Sequence, residues 1–445
     1  MGILDAPVNV GNLGGTSSTG RAVMAGTAAA ARSAIGAAST TALSAAPSRL
    51  LARQVVPSGS APTVTFATGL ANSQIKTSTA ILSAVADVIA GGNVTVVDGC
   101  NMQHPSGGFP YSATYRPYSI QQNINGQGWK SNYSIQFWTD APKFEVAWVN
   151  RGPVTYRVWA DDAAVGSLVP VVKTTTGNAE SIVVDFTGVG GAIPRRIRVD
   201  LTWADFAGIV VPSSAYSIWP AKQRGPTVFM IGDSLTGGSG HSSSYGNQIP
   251  HVLGQLLGWD NVWNLGIGGT GYATKNAPSS FDNSALPQVQ YLAPSSATPS
   301  LAAPGSSLPT PDIVIVSHGH NDAPTWTAAV TAAGNTLAQA RAQWPTALIF
   351  VTSALGNSSA TGEGSFLTSN EAALFAAVAP YVDATISAWT GPGRPWLTGT
   401  GNTSATTGSG NGDLYIGSDS VHWNDAGILY VGARLASEIL GLLRG

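Results

Sequence analysis

Charge is scarce in this chain: only 10% of its 445 residues are Asp, Glu, Lys or Arg, with 21 basic side chains against 23 acidic ones. Such a balance supplies no field to hold a phosphate backbone or an anionic bilayer, so no nucleic-acid partner is expected. Cysteine is nearly missing. Cys100 stands alone, which excludes an intrachain disulfide and a cysteine zinc site. No unbroken apolar run reaches the roughly 20 residues of a membrane-spanning helix. Met1 to Gly15 lacks the basic start and apolar centre of a signal peptide, and Ala6 stands where a myristoylation signal takes Ser or Thr, so export by the usual routes is not expected. Small residues fill the chain instead, beside 43% hydrophobic ones, enough for ordinary cores in a chain with room for two or three domains.

In the second half, four short segments have the order and chemistry of one hydrolytic site: Gly232-Asp233-Ser234-Leu235, Asn264-Leu265-Gly266-Ile267-Gly268-Gly269, Gly319-His320-Asn321-Asp322 and Asp419-Ser420-Val421-His422. Ser234 follows the apolar, β-favouring run Thr227 to Ile231, so it sits just past the carboxyl end of a buried strand, where open α/β sheets place their ligands. A serine hydroxyl attacks at neutral pH only when a base takes its proton, and His422 is the leading candidate. Asp419, three residues earlier, can accept a hydrogen bond from the imidazole and fix its tautomer. Asn321 follows a second apolar strand, Ile313 to Val316; its amide, the Gly269 N–H and the N–H of Ser234 itself are candidate donors to an oxyanion. A helix with an apolar stripe is expected from about Asn424 to Leu443, capped by Asn424 or Asp425, and another from Tyr245 to Leu257, with Pro250 as an irregularity.

On these four blocks, the region from Pro226 to Gly445 resembles the SGNH hydrolases, also called GDSL esterases and lipases. The resemblance implies a three-layer α/β/α fold around a flavodoxin-like parallel sheet of about five strands, and ester hydrolysis through an acyl-enzyme with no metal or other cofactor. It implies Ser234, His422 and Asp419 as the catalytic triad, with Ser234, Gly269 and Asn321 as the oxyanion hole. Trp423 departs from the proline that many members carry after the histidine. Gly268-Gly269 leaves the glycine donor open by one residue; Gly269 is chosen because Asn264 and Ile267 then match the family spacing.

Upstream the pattern changes twice. Residues 61–222 read as an antiparallel β-sandwich of jelly-roll type, with alternating strands at Lys143 to Val149 and Val154 to Trp159 around a Gly-Pro turn, and further strands at Ser181 to Phe186 and Ile197 to Leu201. Trp129, Trp138, Trp148, Trp159, Trp203 and Trp219 lie in or near it. An indole in an alternating strand is more often core than a sugar platform. Residues 1–60 form an Ala/Gly-rich segment, including Gly20-Arg21-Ala22 and Ala31-Arg32-Ser33-Ala34-Ile35-Gly36. That segment resembles the attachment segments of bacteriophage tail fibres and tail-tip proteins. It cannot bury a face by itself, which suits a homotrimer. Residues 223–445 make the hydrolase domain. Two long connections in it, Ala277 to Asp312 and Leu397 to Ser418, are expected to shape the substrate cleft.

Together these readings point to an enzyme of a phage tail, located in the virion, that takes acetyl esters from a polysaccharide of the bacterial envelope, with other tail proteins as partners. The alternatives are an esterase of envelope lipid or mycolate esters, and a tail receptor-binding protein without activity.

Overall fold

The computed structural model describes residues 62–68, 95–97, 133–166, 171–173, 179–212, 215–221, 224–238, 247–276, 282–292, 310–356, 363–398 and 411–444. The Ala-rich segment, Cys100 and Trp129 lie outside these.

Among the described residues, those up to 221 form antiparallel β-structure: β1 (Thr63–Thr68), β2 (Thr95–Val97), β3 (Tyr133–Thr139), β4 (Lys143–Ala160), β5 (Ala163–Val165), β6 (Val171–Lys173), β7 (Ala179–Asp185), β8 (Arg195–Val210) and β9 (Ile218–Pro220). Hydrogen bonds join all nine into one sheet, with β1-β7-β4-β8-β3-β2 as its main path. The Gly-Pro turn expected between two strands is not a turn. β4 runs straight through Gly152-Pro153, and the register to β8 slips between Asn150 and Thr155, so the extra residues are absorbed as a bulge. A second slip at Ala147/Trp148 adds to the curl, and both halves of β4 line one apolar cluster: Phe144, Val146 and Trp148 from one, Val154, Tyr156 and Val158 from the other. Ile135, Phe137, Ile182, Val184, Ile197, Val199 and Leu201 complete it at the alternating positions that period-2 patterning predicts.

The second half alternates strand and helix: β10 (Thr227–Gly232), α1 (Ser234–Gly237), α2 (Ile249–Leu257), β11 (Asn261–Gly266), α3 (Ala285–Tyr291), β12 (Ile313–Ser317), a 3-10 turn (His320–Thr325), α4 (Trp326–Gln343), β13 (Leu348–Thr352), α5 (Glu363–Val378), β14 (Ala384–Ile386), α6 (Gly412–Tyr415) and α7 (Asp425–Arg444). The five strands are all parallel in the order β11-β10-β12-β13-β14. β10 to β13 are buried along their whole length, as strands covered on both faces must be. α2 packs with α7, while α4 packs with α3 and α5, giving the expected three layers. Pro250 is no irregularity: it stands in the first turn of α2, where its missing N–H costs nothing. α3 occupies part of the connection read as loop, and its Ala285 and Val289 are fully buried.

α7 is long and apolar enough to cross a bilayer by length and composition, with a mean hydropathy of 1.5 in its most apolar stretch. Arg434 and Glu438 break its apolar run in the sequence, and its stripe of Ile428, Val431, Leu435 and Ile439 is buried in the domain core. Asn424 caps it by accepting the Gly427 N–H at 2.9 Å, and Asp425 instead accepts from Asn247 at 2.8 Å.

Candidate active site

The sheet order reverses at β10, and its two neighbours β11 and β12 end beside it. A doubly wound sheet opens its ligand crevice at that switch point. Ser234 is the first residue of α1, directly after β10. Asp233 caps that helix, its carboxylate accepting the Leu235 N–H at 2.8 Å. The turn is seated tightly: Gly237 N–H donates to Asp233 O at 2.7 Å, and a Cβ on Gly266 of β11 would fall 2.7 Å from that same Asp233 carbonyl. Close glycine packing of this kind aims the Ser234 side chain out of the sheet edge.

His422 comes from the loop before α7, 188 residues away in sequence, and its Nε2 lies 2.7 Å from Ser234 Oγ. Its Nδ1 is hydrogen-bonded to the Asp419 carboxylate. The other Asp419 oxygen accepts the N–H groups of Val421 at 3.1 Å and His422 at 3.0 Å, a tight turn with Ser420 at φ +65°. Burial pushes the Asp419 carboxyl upward, but the imidazole and these two N–H donors outweigh it and hold its pKa below the ordinary carboxylate value. Asp419 thus stays ionised beside the ring. Trp423, in the place of a proline, is 3% exposed; its backbone bridges Ile416, and it belongs to the buried apolar cluster that also holds Leu355, Trp389, Trp396 and Val431. The indole anchors the loop that carries the base.

Opposite the base lies the 267–271 loop. A Cβ on Gly268 would come 3.6 Å from Ser234 Cβ, so the peptide joining Gly268 to Gly269 borders the serine. Gly269 has φ +73°, a left-handed conformation that suits glycine. Asn321, in the 3-10 turn after β12, donates from Nδ2 to Thr270 O at 2.8 Å; an amide nitrogen has a second hydrogen to give. All five residues singled out in the sequence, Ser234, His422, Asp419, Gly269 and Asn321, are thus placed around one sheet edge.

Two further carboxylates of these four segments, Asp322 and Asp233, have a part that no local pattern announces. Asp322 is fully buried and accepts the N–H groups of Tyr272 at 2.6 Å, Ala273 at 3.1 Å and Thr274 at 2.8 Å, so it ties the segment after the oxyanion loop to the turn holding Asn321. Asp233 is 2% exposed, and burial, with the nearby Asp322 adding, pushes its pKa up to about 7. His318, buried at the end of β12 against the Tyr272 ring at 5.6 Å, has its pKa pushed down to about 4 by burial, so it is neutral at pH 7. Among the described residues no three His, Cys, Asp or Glu side chains gather as metal ligands would.

Residues 230–428 match the model of the GDSL-like Lipase/Acylhydrolase family. The C-terminal region therefore carries a GDSL/SGNH lipase–acylhydrolase domain, and the protein is in the class of ester-bond hydrolases. Among solved structures, an acetyl xylan esterase from the rumen bacterium Butyrivibrio proteoclasticus is similar in fold at 13% identity, with a TM-score of 0.51, over 80% of this chain and 98% of that one. A family two carbohydrate esterase from Cellvibrio japonicus is 12% identical over 86% of this chain and 98% of its own, with a TM-score of 0.49. An active-site mutant of a family two carbohydrate esterase from Clostridium thermocellum is 18% identical over 70% of this chain and 91% of its own, with a TM-score of 0.46. A search of the curated proteins finds no match.

Proposed function

We propose that the protein is a serine esterase that removes ester-linked acetyl groups from a polysaccharide of the bacterial surface. The hydrogen-bonded run from Ser234 Oγ through His422 to the Asp419 carboxylate carries this reading. His422 Nε2 takes the Ser234 proton as Oγ attacks the ester carbonyl. Asp419 holds the Nδ1–H and stabilises the imidazolium. The N–H groups of Gly269 and Ser234 and the Asn321 amide receive the oxyanion. The sugar hydroxyl leaves with the proton from His422, and water then repeats the sequence on the acyl-enzyme. The fold shared with an acetyl xylan esterase over 98% of that protein supports an acetylated glycan over a lipid ester.

We further place the enzyme on a phage tail, in the virion, as a homotrimer held among other tail proteins. The support for this is the composition and motif content of residues 1–60.

The test is hydrolysis of p-nitrophenyl acetate and p-nitrophenyl palmitate, with acetate release from acetylated surface polysaccharide, by wild type and Ser234→Ala. Acetate turnover that falls roughly 10⁴- to 10⁶-fold in the variant is expected. Preference for palmitate would overturn the deacetylase, and no turnover of either ester would overturn the esterase.

A further inference from the structure

We infer that Asn276 is a positioning residue for the oxyanion hole. This rests on the esterase reading above. A planar trans peptide points its C=O and N–H in opposite directions, so whatever holds the Gly268 carbonyl also aims the Gly269 N–H. That holder is the Asn276 side chain, whose Nδ2 donates to Gly268 O at 2.9 Å. It lies on the far side of the peptide from the nucleophile: a Cβ on Gly269 would meet Asn276 Cγ at 3.3 Å, whereas a Cβ on Gly268 would meet Ser234 Cβ at 3.6 Å. The N–H is thereby turned from Asn276 to the side where Ser234 stands.

The rest of the loop is held in the same way. Ile267 O accepts the Thr270 hydroxyl at 2.7 Å, and Thr270 O accepts the Asn321 amide at 2.8 Å, so side-chain donors take the carbonyls of residues 267, 268 and 270. Asn276 is itself braced. Its backbone N–H donates to Oδ1 of the fully buried Asn283 at 2.9 Å, and Gln288 Nε2 links the Asn283 carbonyl at 2.9 Å to the Thr270 hydroxyl at 3.1 Å. A φ of +73° at Gly269 leaves that residue free to swing, because glycine has other wells of similar energy; the Asn276 bond selects one. The frame makes the donor rigid before substrate arrives, the condition under which an oxyanion donor contributes most to rate.

Asn276→Leu and Asn276→Asp keep the shape of the side chain and the backbone bond to Asn283 but remove the amide donor. Both are measured in the full chain on p-nitrophenyl acetate as kcat and KM across pH, with thermal unfolding and inhibition by phenylboronic acid, whose serine adduct places an oxygen in the oxyanion position. The expected result is a roughly 10- to 100-fold fall in kcat, KM within twofold, a matching rise in the boronate Ki and an acidic limb of the pH profile at the wild-type position. Retained kcat in a folded variant would overturn the inference. So would a fall in kcat accompanied by a shifted acidic limb, which would locate the damage in the triad. Should N276L not fold, N276D decides on the same readouts. A wild type without turnover would remove the esterase reading itself, a result distinct from an active wild type whose variants are equally active.

Discussion

Asp233 precedes the serine and Asp419 holds its base, and the fold drives their carboxyl groups in opposite directions. Asp419 is held down by its imidazole and two N–H donors, so its contribution to stability is present above the ordinary carboxylate pKa and is lost as pH falls through its lowered value. Asp233 is pushed up to about 7 by burial, with Asp322 adding to it. Between the ordinary value of 3.8 and about 7 the folded state keeps a proton that the unfolded chain has released, so stability falls as pH rises through that window. Asn at this position still accepts the Leu235 N–H but has nothing to ionise. Relative to wild type, Asp233→Asn is expected to be more stable at pH 8 than at pH 5, read as urea midpoints; the same difference at both pH values would contradict a raised Asp233 pKa. His318 adds a slope of the other sign. Its burial as a neutral ring costs stability below about pH 6.5 and down to its own value of about 4.

The nucleophile turn works as a unit of β10, α1 and β11, with glycines at its closest backbone approaches. At Gly266 a methyl group would overlap Gly237 N and press on Asp233 O, both backbone atoms of the turn that carries Ser234. Backbone cannot step aside as a flexible side chain can. Gly266→Ala is expected to cost about 1–3 kcal/mol by overpacking and, through a displaced Oγ, about 100-fold in kcat. Thermal unfolding together with turnover of p-nitrophenyl acetate checks it, and a variant of wild-type activity would show that the turn is not fixed by this contact.

The two halves of the molecule meet across charge. The outward face of the antiparallel sheet bears Arg157, Arg196, Arg198 and Asp200, all buried, with His251 of α2 and Asp260, just before β11, set against it. Asp200 accepts from Arg157 Nε at 3.0 Å, Arg198 Nε at 2.6 Å and Trp159 Nε1 at 2.9 Å, and lies 3.1 Å from His251 Nε2 of α2. Burial pushes its carboxyl upward, but Arg198, His251 and Arg157 outweigh that and hold it well below the carboxylate range. Arg196 reaches Asp260 at 2.6 Å, and Arg224 bridges Asp162 and Asp260. Removing one partner of such a network strands buried charge, so Asp200→Asn is expected to lower stability by about 3–5 kcal/mol, or about 10 °C in melting temperature. A calorimetric scan showing an unchanged transition would mean that these pairs do not join the halves.

The serine and the base were legible because each is announced by a local pattern: a buried strand ending in Gly-Asp-Ser-Leu, and an Asp-x-x-His whose tight turn closes within four residues. The strands β10 and β12 were legible for the same reason, as the short apolar runs Thr227 to Ile231 and Ile313 to Val316. Asn276, Asp322 and Asp200 were not, since the partners that give them their roles, Gly268, Tyr272 and His251, lie 8, 50 and 51 residues away and an isolated Asn or Asp has no periodicity to betray it. Period-2 alternation puts Arg196, Arg198 and Asp200 on the outer face of a strand. Only the tertiary structure covers that face with α2, and only packing brings His422 to Ser234 across 188 residues. Local chemistry is written in neighbouring residues, whereas burial and long-range pairing exist only once the chain has closed on itself.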